Sequence, residues 1–273
     1  MDRSVRTPTW VPDADSGAAL KKFFEEIKVK YQIKDLSELQ KWSVENSGQF
    51  WSEVWDFFGV IGEKGDRSDI PSKLPEANYF PDAKLSLLEI LLTGGGAVSV
   101  VKESDIGNSG ENFTHKDLVA MVSALVNTLK EQEIGEEDRV VAILPVGIEV
   151  LVTTLAGFGV GATVATASPE FGAEAILSRF SQLEPTVLVF SNSYPWQGKE
   201  LDRSQMVAQV AKALPSLKLI IGLGGNNELA ETILWSAATS NSKQISFTRR
   251  SFDHPAYVLF TSGTTGVPKG LIH

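Results

Sequence analysis

Val140-Val141-Ala142-Ile143-Leu144, then Ile148 to Phe158, then Thr163-Val164-Ala165-Thr166-Ala167, is the run whose reading decides the fold. Two short apolar, β-branched stretches flank a longer stretch with helical spacing. Strands that are almost wholly apolar need cover on both faces, and helices over a mostly parallel sheet supply it. The uncharged run Val150–Ala167 is long enough for a membrane span, but Gly157, Gly159, Gly161 and four threonines interrupt it and Pro169 follows. A buried helix, a glycine turn and a strand fit it better.

The alternation continues outward. Ala97–Val101, Thr186–Phe190, Leu217–Ile221 and Tyr257–Phe260 read as further strands. Between them Ala173–Leu183, Ser204–Leu214 and Glu228–Ala237 read as helices, and a clearer one starts at Thr114. That helix places Leu118, Val122, Leu125 and Leu129 on one face and takes Gly135 as its stop. The fold class is α/β: a mostly parallel sheet flanked by helices, assigned to residues 94–273.

Residues 1–93 read as a small helical segment. Asp15 or Ser16 is expected to cap a helix carrying Leu20, Phe23, Phe24, Ile27 and Tyr31. Asp35 and Glu38 form a capping-box-like pair ahead of Leu36, Leu39 and Trp42. A third helix follows Gly48 with Phe50, Trp51, Val54, Trp55 and Phe58. Aromatics at this spacing suit a packed core better than a binding surface. Gly59 to Pro81 reads as a connection, and Lys84–Leu92 as a short helix stopped by Gly94-Gly95-Gly96.

At 273 residues and 42% hydrophobic content the chain can bury a sizeable core. Its net charge of −9 comes with no basic run, which argues against nucleic acid or an anionic membrane as the partner. It has no cysteine, so disulfides, thiolate metal sites and a cysteine nucleophile are excluded, and any thioester chemistry needs an outside thiol. The first twelve residues lack an apolar core of signal-peptide length, and the cytosol is the expected compartment.

The chemistry concentrates in Thr261-Ser262-Gly263-Thr264-Thr265-Gly266-Val267-Pro268-Lys269-Gly270, directly after the last strand. Gly263 and Gly266 allow the backbone close to a ligand so that N–H groups converge on an anion. Ser262, Thr264 and Thr265 add hydroxyls and Lys269 adds a positive charge, which together make a phosphate cradle. It is not a Walker A loop, because Val267-Pro268 separate Gly266 from Lys269. The order Thr-Ser-Gly-Thr-Thr-Gly-x-Pro-Lys-Gly closely resembles the signature loop of the acyl-adenylate-forming, or acyl-CoA synthetase, superfamily.

Other stretches extend the resemblance over about Leu36 to His273. Phe50-Trp51 through Gly62 is similar to the helical N-terminal segment of the acetyl- and acetoacetyl-CoA synthetases. Ser168-Pro169-Glu170-Phe171-Gly172, Arg179-Phe180, Glu184–Leu188, Tyr194–Lys199 with Asp202-Arg203, and Phe252–Pro255 resemble the acetoacetate-specific branch more than the acetate branch. One departure is Ser86-Leu87, where the family has Asn-Tyr. The resemblance implies ATP as substrate with Mg2+ on its phosphates, CoA as co-substrate, and a short carboxylic acid that forms an acyl-adenylate. It implies that Thr261, Ser262, Gly263, Thr264, Thr265, Gly266 and Lys269 hold the leaving phosphates, with Lys269 offsetting their growing charge. Family members continue with adenine, ribose and hinge segments and a C-terminal domain, so the chain reads as the front part of such an enzyme, an incomplete adenylate-forming domain.

Four alternatives accompany this reading. The chain is expected either to serve acetoacetate or another short acid such as acetate or propionate, or to be a non-catalytic remnant that binds a nucleotide or a partner. Gly222-Leu223-Gly224-Gly225 mimics a dinucleotide fingerprint, but Asn227 stands where the third small residue belongs. Ser262 with Asp253, His254 and His273 suggests a hydrolase only weakly, since Phe260 occupies the glycine position of a nucleophile elbow. With three histidines and no His-x-x-x-His pair, no metal site of the chain's own is expected.

Overall fold

Residues 11, 16–66, 79–93, 100–102, 111–224, 229–261 and 266–273 are described by a computed structural model. They fall into two units, Met1–Val60 with Gly65–Pro81 and Ile61–Lys64 with Asp82–His273.

The smaller unit holds α1 (Ala18–Tyr31), α2 (Leu36–Glu45) and α3 (Ser47–Phe58). Phe23, Ile27, Ile33 and Leu39 are buried at their junction, with Phe50, Val54 and Phe57 packed against them. Phe23 meets the rings of Phe50 and Phe57 edge-on, the arrangement that the ring quadrupole favours. Phe50, Val54 and Trp55 of the aromatic stripe are therefore packed, while Trp51 and Phe58 stay exposed. Leu20 and Leu36 are also exposed, and line an apolar groove of about 580 Å³ with Phe23, Leu39 and Phe50.

The helix starts differ from expectation in local ways. The cap of α1 is Gly17 at φ 72°, a left-handed conformation that glycine adopts without strain, in place of Ser16; Asp15 lies outside the described residues. Asp35 accepts from the Glu38 N–H at 2.9 Å, but Glu38 reaches back to the N–H of Lys34, one residue beyond the expected partner. Asn46 precedes α3, which starts ahead of Gly48.

In the larger unit β1 (Gly62–Glu63) pairs antiparallel with β2 (Lys84–Leu85), and α4 (Leu87–Thr93) follows. Lys84 and Leu85 are thus strand, a correction to the helix expected from Lys84. Leu88 and Leu92 pack into the core of this unit, so β2 and α4 belong with it, ahead of the boundary expected after residue 93. β3 (Val100–Lys102) pairs antiparallel with β4 (Glu111–Phe113). α5 (His115–Glu131) opens on a full capping box between Thr114 and Asp117. Its stop is Glu133 at φ 58°, with the Ile134 N–H closing on the Leu129 carbonyl, and Gly135 takes no left-handed turn.

The chain then runs β5 (Arg139–Ile143), α6 (Ile148–Val160), β6 (Thr163–Ala167), α7 (Ala173–Phe180) and β7 (Val187–Ser191). A hairpin of β8 (Ser193–Trp196) and β9 (Lys199–Asp202) leads to α8 (Ser204–Lys212) and β10 (Leu219–Leu223). β11 (Thr232–Leu234) and α9 (Trp235–Ala238) follow, where one helix over Glu228–Ala237 was expected; Glu228 lies outside the described residues. After β12 (Arg250–Ser251) the chain ends in β13 (Val258–Phe260) and β14 (Gly270–Ile272). Because β11 follows Gly224 as the next described element, the helix that a dinucleotide fingerprint requires does not appear there.

Five strands in the order β11-β10-β7-β5-β6 form an all-parallel sheet. Alternate side chains face opposite ways. Val140, Ala142, Val187, Val189, Leu219 and Ile221 meet α5 and α6 on one face, while Val141, Ile143, Leu188 and Phe190 meet α7 and α8 on the other. Each such Val, Leu or Ile contributes about 1.5–3 kcal/mol when fully buried. α6 sits so close to β6 that a Cβ on Gly157 would lie 2.3 Å from a Val164 methyl. Arg249 ties α4 to the segment before β12, donating to both carboxylate oxygens of Glu89 at 2.9 and 3.0 Å. Among the described residues no helix is long and apolar enough to cross a membrane.

Candidate active site

All five parallel strands end at one edge of the sheet, where ligands of open α/β sheets collect. β13 joins that geometry through a parallel bridge between Val164 and Tyr257, reinforced by a 2.9 Å bond from the Val164 N–H to the Ala256 carbonyl. The Tyr257 and Thr166 hydroxyls are 2.5 Å apart, and Val258 is buried in the core on the α7 and α8 side. β13 therefore runs in the direction of β6, and its carboxyl end delivers Thr261 to the ligand edge. The strand lies between the bridge to β6 and its antiparallel partner β14.

The residues expected to bind phosphate follow. Phe260 and Gly270 form the last pair of the β13–β14 ladder. Beyond it the Thr261 N–H donates to the Lys269 carbonyl at 3.0 Å, and the Lys269 N–H donates to Thr261 Oγ1 at 3.3 Å. These two bonds close the neck of the loop, so the backbone of Lys269 is held while its side chain is exposed. Gly266 is exposed as well. Ser262, Gly263, Thr264 and Thr265 lie outside the described residues. Among the described residues no carboxylate pairs with the Lys269 ammonium, which is exposed to solvent.

Two contacts at this site had no signal in the sequence. One is the Tyr257–Thr166 pair. The other is Gln182, just past α7, whose side-chain amide donates to the Ser178 carbonyl at 2.6 Å and to the Pro268 carbonyl at 2.9 Å. Both join residues far apart in the chain, and neither polar side chain belongs to a local motif. The Arg179 guanidinium, in the last turn of α7, lies over the Phe171 ring, 5.3 Å from its centre.

Of the residues weighed as a hydrolase constellation, Ser262 lies outside the described residues, and the two histidines lie away from the loop neck. His254 Nε2 is 2.8 Å from the Gly161 carbonyl, before the start of β6, and the backbone of His273 pairs with Ala256 and Tyr257 at the start of β13. Both histidines are thus fixed at the amino-terminal edge, roughly a strand's length from the loop, or about 16 Å for five residues.

By residue type alone, the sequence from 261 to 270 carries hydroxyls, backbone N–H groups and one ammonium, a set that suits phosphate oxygens. Among the described residues no group of three His, Asp or Glu side chains could hold a metal ion.

The profile of the AMP-binding enzyme family matches residues 91–273, two thirds of the chain and all five strands of the parallel sheet. This chain belongs to the AMP-binding enzyme family. Its similarity to individual proteins runs over nearly its whole length. It is 33% identical to the acetoacetyl-coenzyme A synthetase of Rhizobium meliloti (strain 1021), covering 97% of this chain and 43% of that protein. It is 28% identical to the acetoacetyl-CoA synthetase of Xenopus tropicalis, covering 97% and 42%. The solved structure of acetoacetyl-CoA synthetase from Streptomyces lividans superposes with a TM-score of 0.87 at 30% identity, covering 98% of this chain and 43% of that one. The AMP-binding family member described here thus spans less than half the length of these relatives.

Proposed function

We propose that this chain supplies the phosphate-binding part of an acetoacetate–CoA ligase. The observation that carries the reading is the loop neck at Thr261 and Lys269, held at the carboxyl edge of a parallel sheet in a chain similar throughout to acetoacetyl-CoA synthetases. In the proposed reaction a carboxylate oxygen of acetoacetate attacks the α-phosphorus of ATP. The bond from that phosphorus to the bridging oxygen breaks, and pyrophosphate leaves. The thiol of CoA then displaces AMP from the acyl-adenylate, losing its proton to solvent.

In this scheme Ser262, Thr264 and Thr265, with the backbone N–H groups of Gly263 and Gly266, bind the β- and γ-phosphates. Thr261 shapes the neck, and Lys269 meets the charge that builds on the leaving oxygens, a preorganised electrostatic role. Mg2+ arrives on the ATP phosphates, and the cytosol is the assigned compartment. Residues 1–93 carry the helical N-terminal segment in α1 to α3, and 94–273, with α4 packed into the same core, act as the first part of the adenylating domain. Partners other than these small molecules, nucleic acid included, have no part in it.

ATP–pyrophosphate exchange tests the reading, measured on this chain joined to the remaining length of the Rhizobium meliloti relative. Acetoacetate should stimulate exchange well above acetate and propionate. Equal stimulation by acetate would reassign the acid, and no exchange with any of the three would leave a nucleotide-binding remnant as the better description.

A further inference from the structure

We propose that Gln182 is a positioning residue that holds Lys269 at the phosphate site. The inference rests on the phosphate-binding reading above and adds a residue that reading does not contain. The two neck bonds between Thr261 and Lys269 both lie within the β13–β14 hairpin, so they set its shape without tying it to the sheet. Gln182 makes that tie on the Lys269 side. Its amide nitrogen reaches the Pro268 carbonyl, one residue before Lys269, at 2.9 Å.

Proline has no N–H, so its carbonyl is the one backbone handle by which residue 268 can be held. The other amide proton goes to the Ser178 carbonyl at 2.6 Å, while the backbone N–H of Gln182 turns to the Arg179 carbonyl. The side chain thereby closes the end of α7 and grips the loop arm with the two protons of one NH2 group. Both partners are carbonyls that can only accept, which settles which end of the amide faces them. α7 is itself anchored through Ile176 and Phe180 in the core that takes up Val258. The clasp therefore connects two elements that are already packed, and it acts on the placement of Lys269 more than on the fold.

The test uses the 273-residue chain with sodium tripolyphosphate as the probe. Calorimetry on wild type, Gln182→Met, Lys269→Ala and the double variant gives a cycle, and amide hydrogen exchange at Lys269 and Gly270 reads the clasp directly. Gln182→Met removes both donors at nearly constant size. It should weaken tripolyphosphate binding about 3- to 10-fold, the range expected for losing one ordinary hydrogen bond, and speed exchange at both amides. In the Lys269→Ala background the same change should have no further effect, because Gln182 acts through that charge. Unchanged binding and exchange in Gln182→Met would overturn the proposal, as would an equal loss in the Lys269→Ala background. If wild type bound no tripolyphosphate, the phosphate reading itself would fall, and the exchange data would still show whether the clasp holds the arm.

Discussion

The hydroxyls of Tyr257 and Thr166 meet at 2.5 Å, joining the strand that feeds the loop to the edge of the parallel sheet. This contact adds to the single bridge between these strands, the Val164 N–H to Ala256 carbonyl bond and the burial of Val258. Tyr257→Phe leaves the Thr166 hydroxyl without this partner and should lower stability by about 1 kcal/mol. Thr166→Val should cost a similar amount, and the double variant less than the sum. Urea midpoints on the three variants check this, and strict additivity would mean that the contact carries no energy.

Gly157 lies inside α6, where Ala would ordinarily be favoured by about 1 kcal/mol. Here the added methyl would sit 2.3 Å from a Val164 side-chain carbon on the adjoining strand. Overpacking of this kind costs about 1–3 kcal/mol, so the clash should win and Gly157→Ala should destabilise. Gly135→Ala is the matched control, since nothing lies within 4 Å of its added Cβ. A Gly157→Ala variant as stable as the control would show that α6 and β6 are farther apart than described.

Glu89 is one group through which acid should loosen the larger unit. Its hydrogen bonds from Arg249 hold its carboxyl below the usual value of 4.5. A carboxyl depressed in the folded state adds stability above its unfolded pKa and loses it as pH falls through the folded one. Glu89→Gln should therefore be less stable than wild type at pH 7, with the gap closing as pH falls below about 4.5. Denaturant midpoints at pH 7, 5, 4 and 3 follow the gap. A gap that stayed constant over this range would separate the Glu89 contact from proton uptake.

What was legible in the sequence was whatever rests on local pattern. The apolar runs of β5, β6 and β7 had nowhere to go but a covered sheet, and Thr114 with Asp117 marks the start of α5 within four residues. Illegible were features whose cause lies far along the chain. Lys84 and Leu85 are strand because Gly62, Glu63, Arg250 and Ser251 flank them, and two residues are too few to show a period. Thr232–Leu234 continues a helix-like stretch in sequence, yet pairing with Ile220–Gly222 makes it a strand. At the site, the residue types of the loop were readable, while the neck, the Tyr257–Thr166 contact and the Gln182 clasp depend on what folding brings together.

Lys269→Ala, in the chain joined to the remaining length of a relative, should slow adenylate formation and leave the fold intact. Losing a charge-assisted contact to the leaving phosphates is worth about 1.5–3 kcal/mol, or roughly ten- to a hundred-fold in rate. Single-turnover pyrophosphate release measures it, with circular dichroism as the check on folding. A rate equal to that of the parent chain would remove Lys269 from the reaction.

Calorimetric titration of this chain with ATP, AMP and tripolyphosphate tests the central claim most directly, because the loop is assigned to the phosphates and not to the base. ATP and tripolyphosphate should bind with comparable affinity and AMP at least about tenfold more weakly, the cost of losing roughly 1.4 kcal/mol of phosphate contacts. AMP binding as tightly as ATP would contradict the assignment of Thr261, Lys269 and the residues between them to the β- and γ-phosphates.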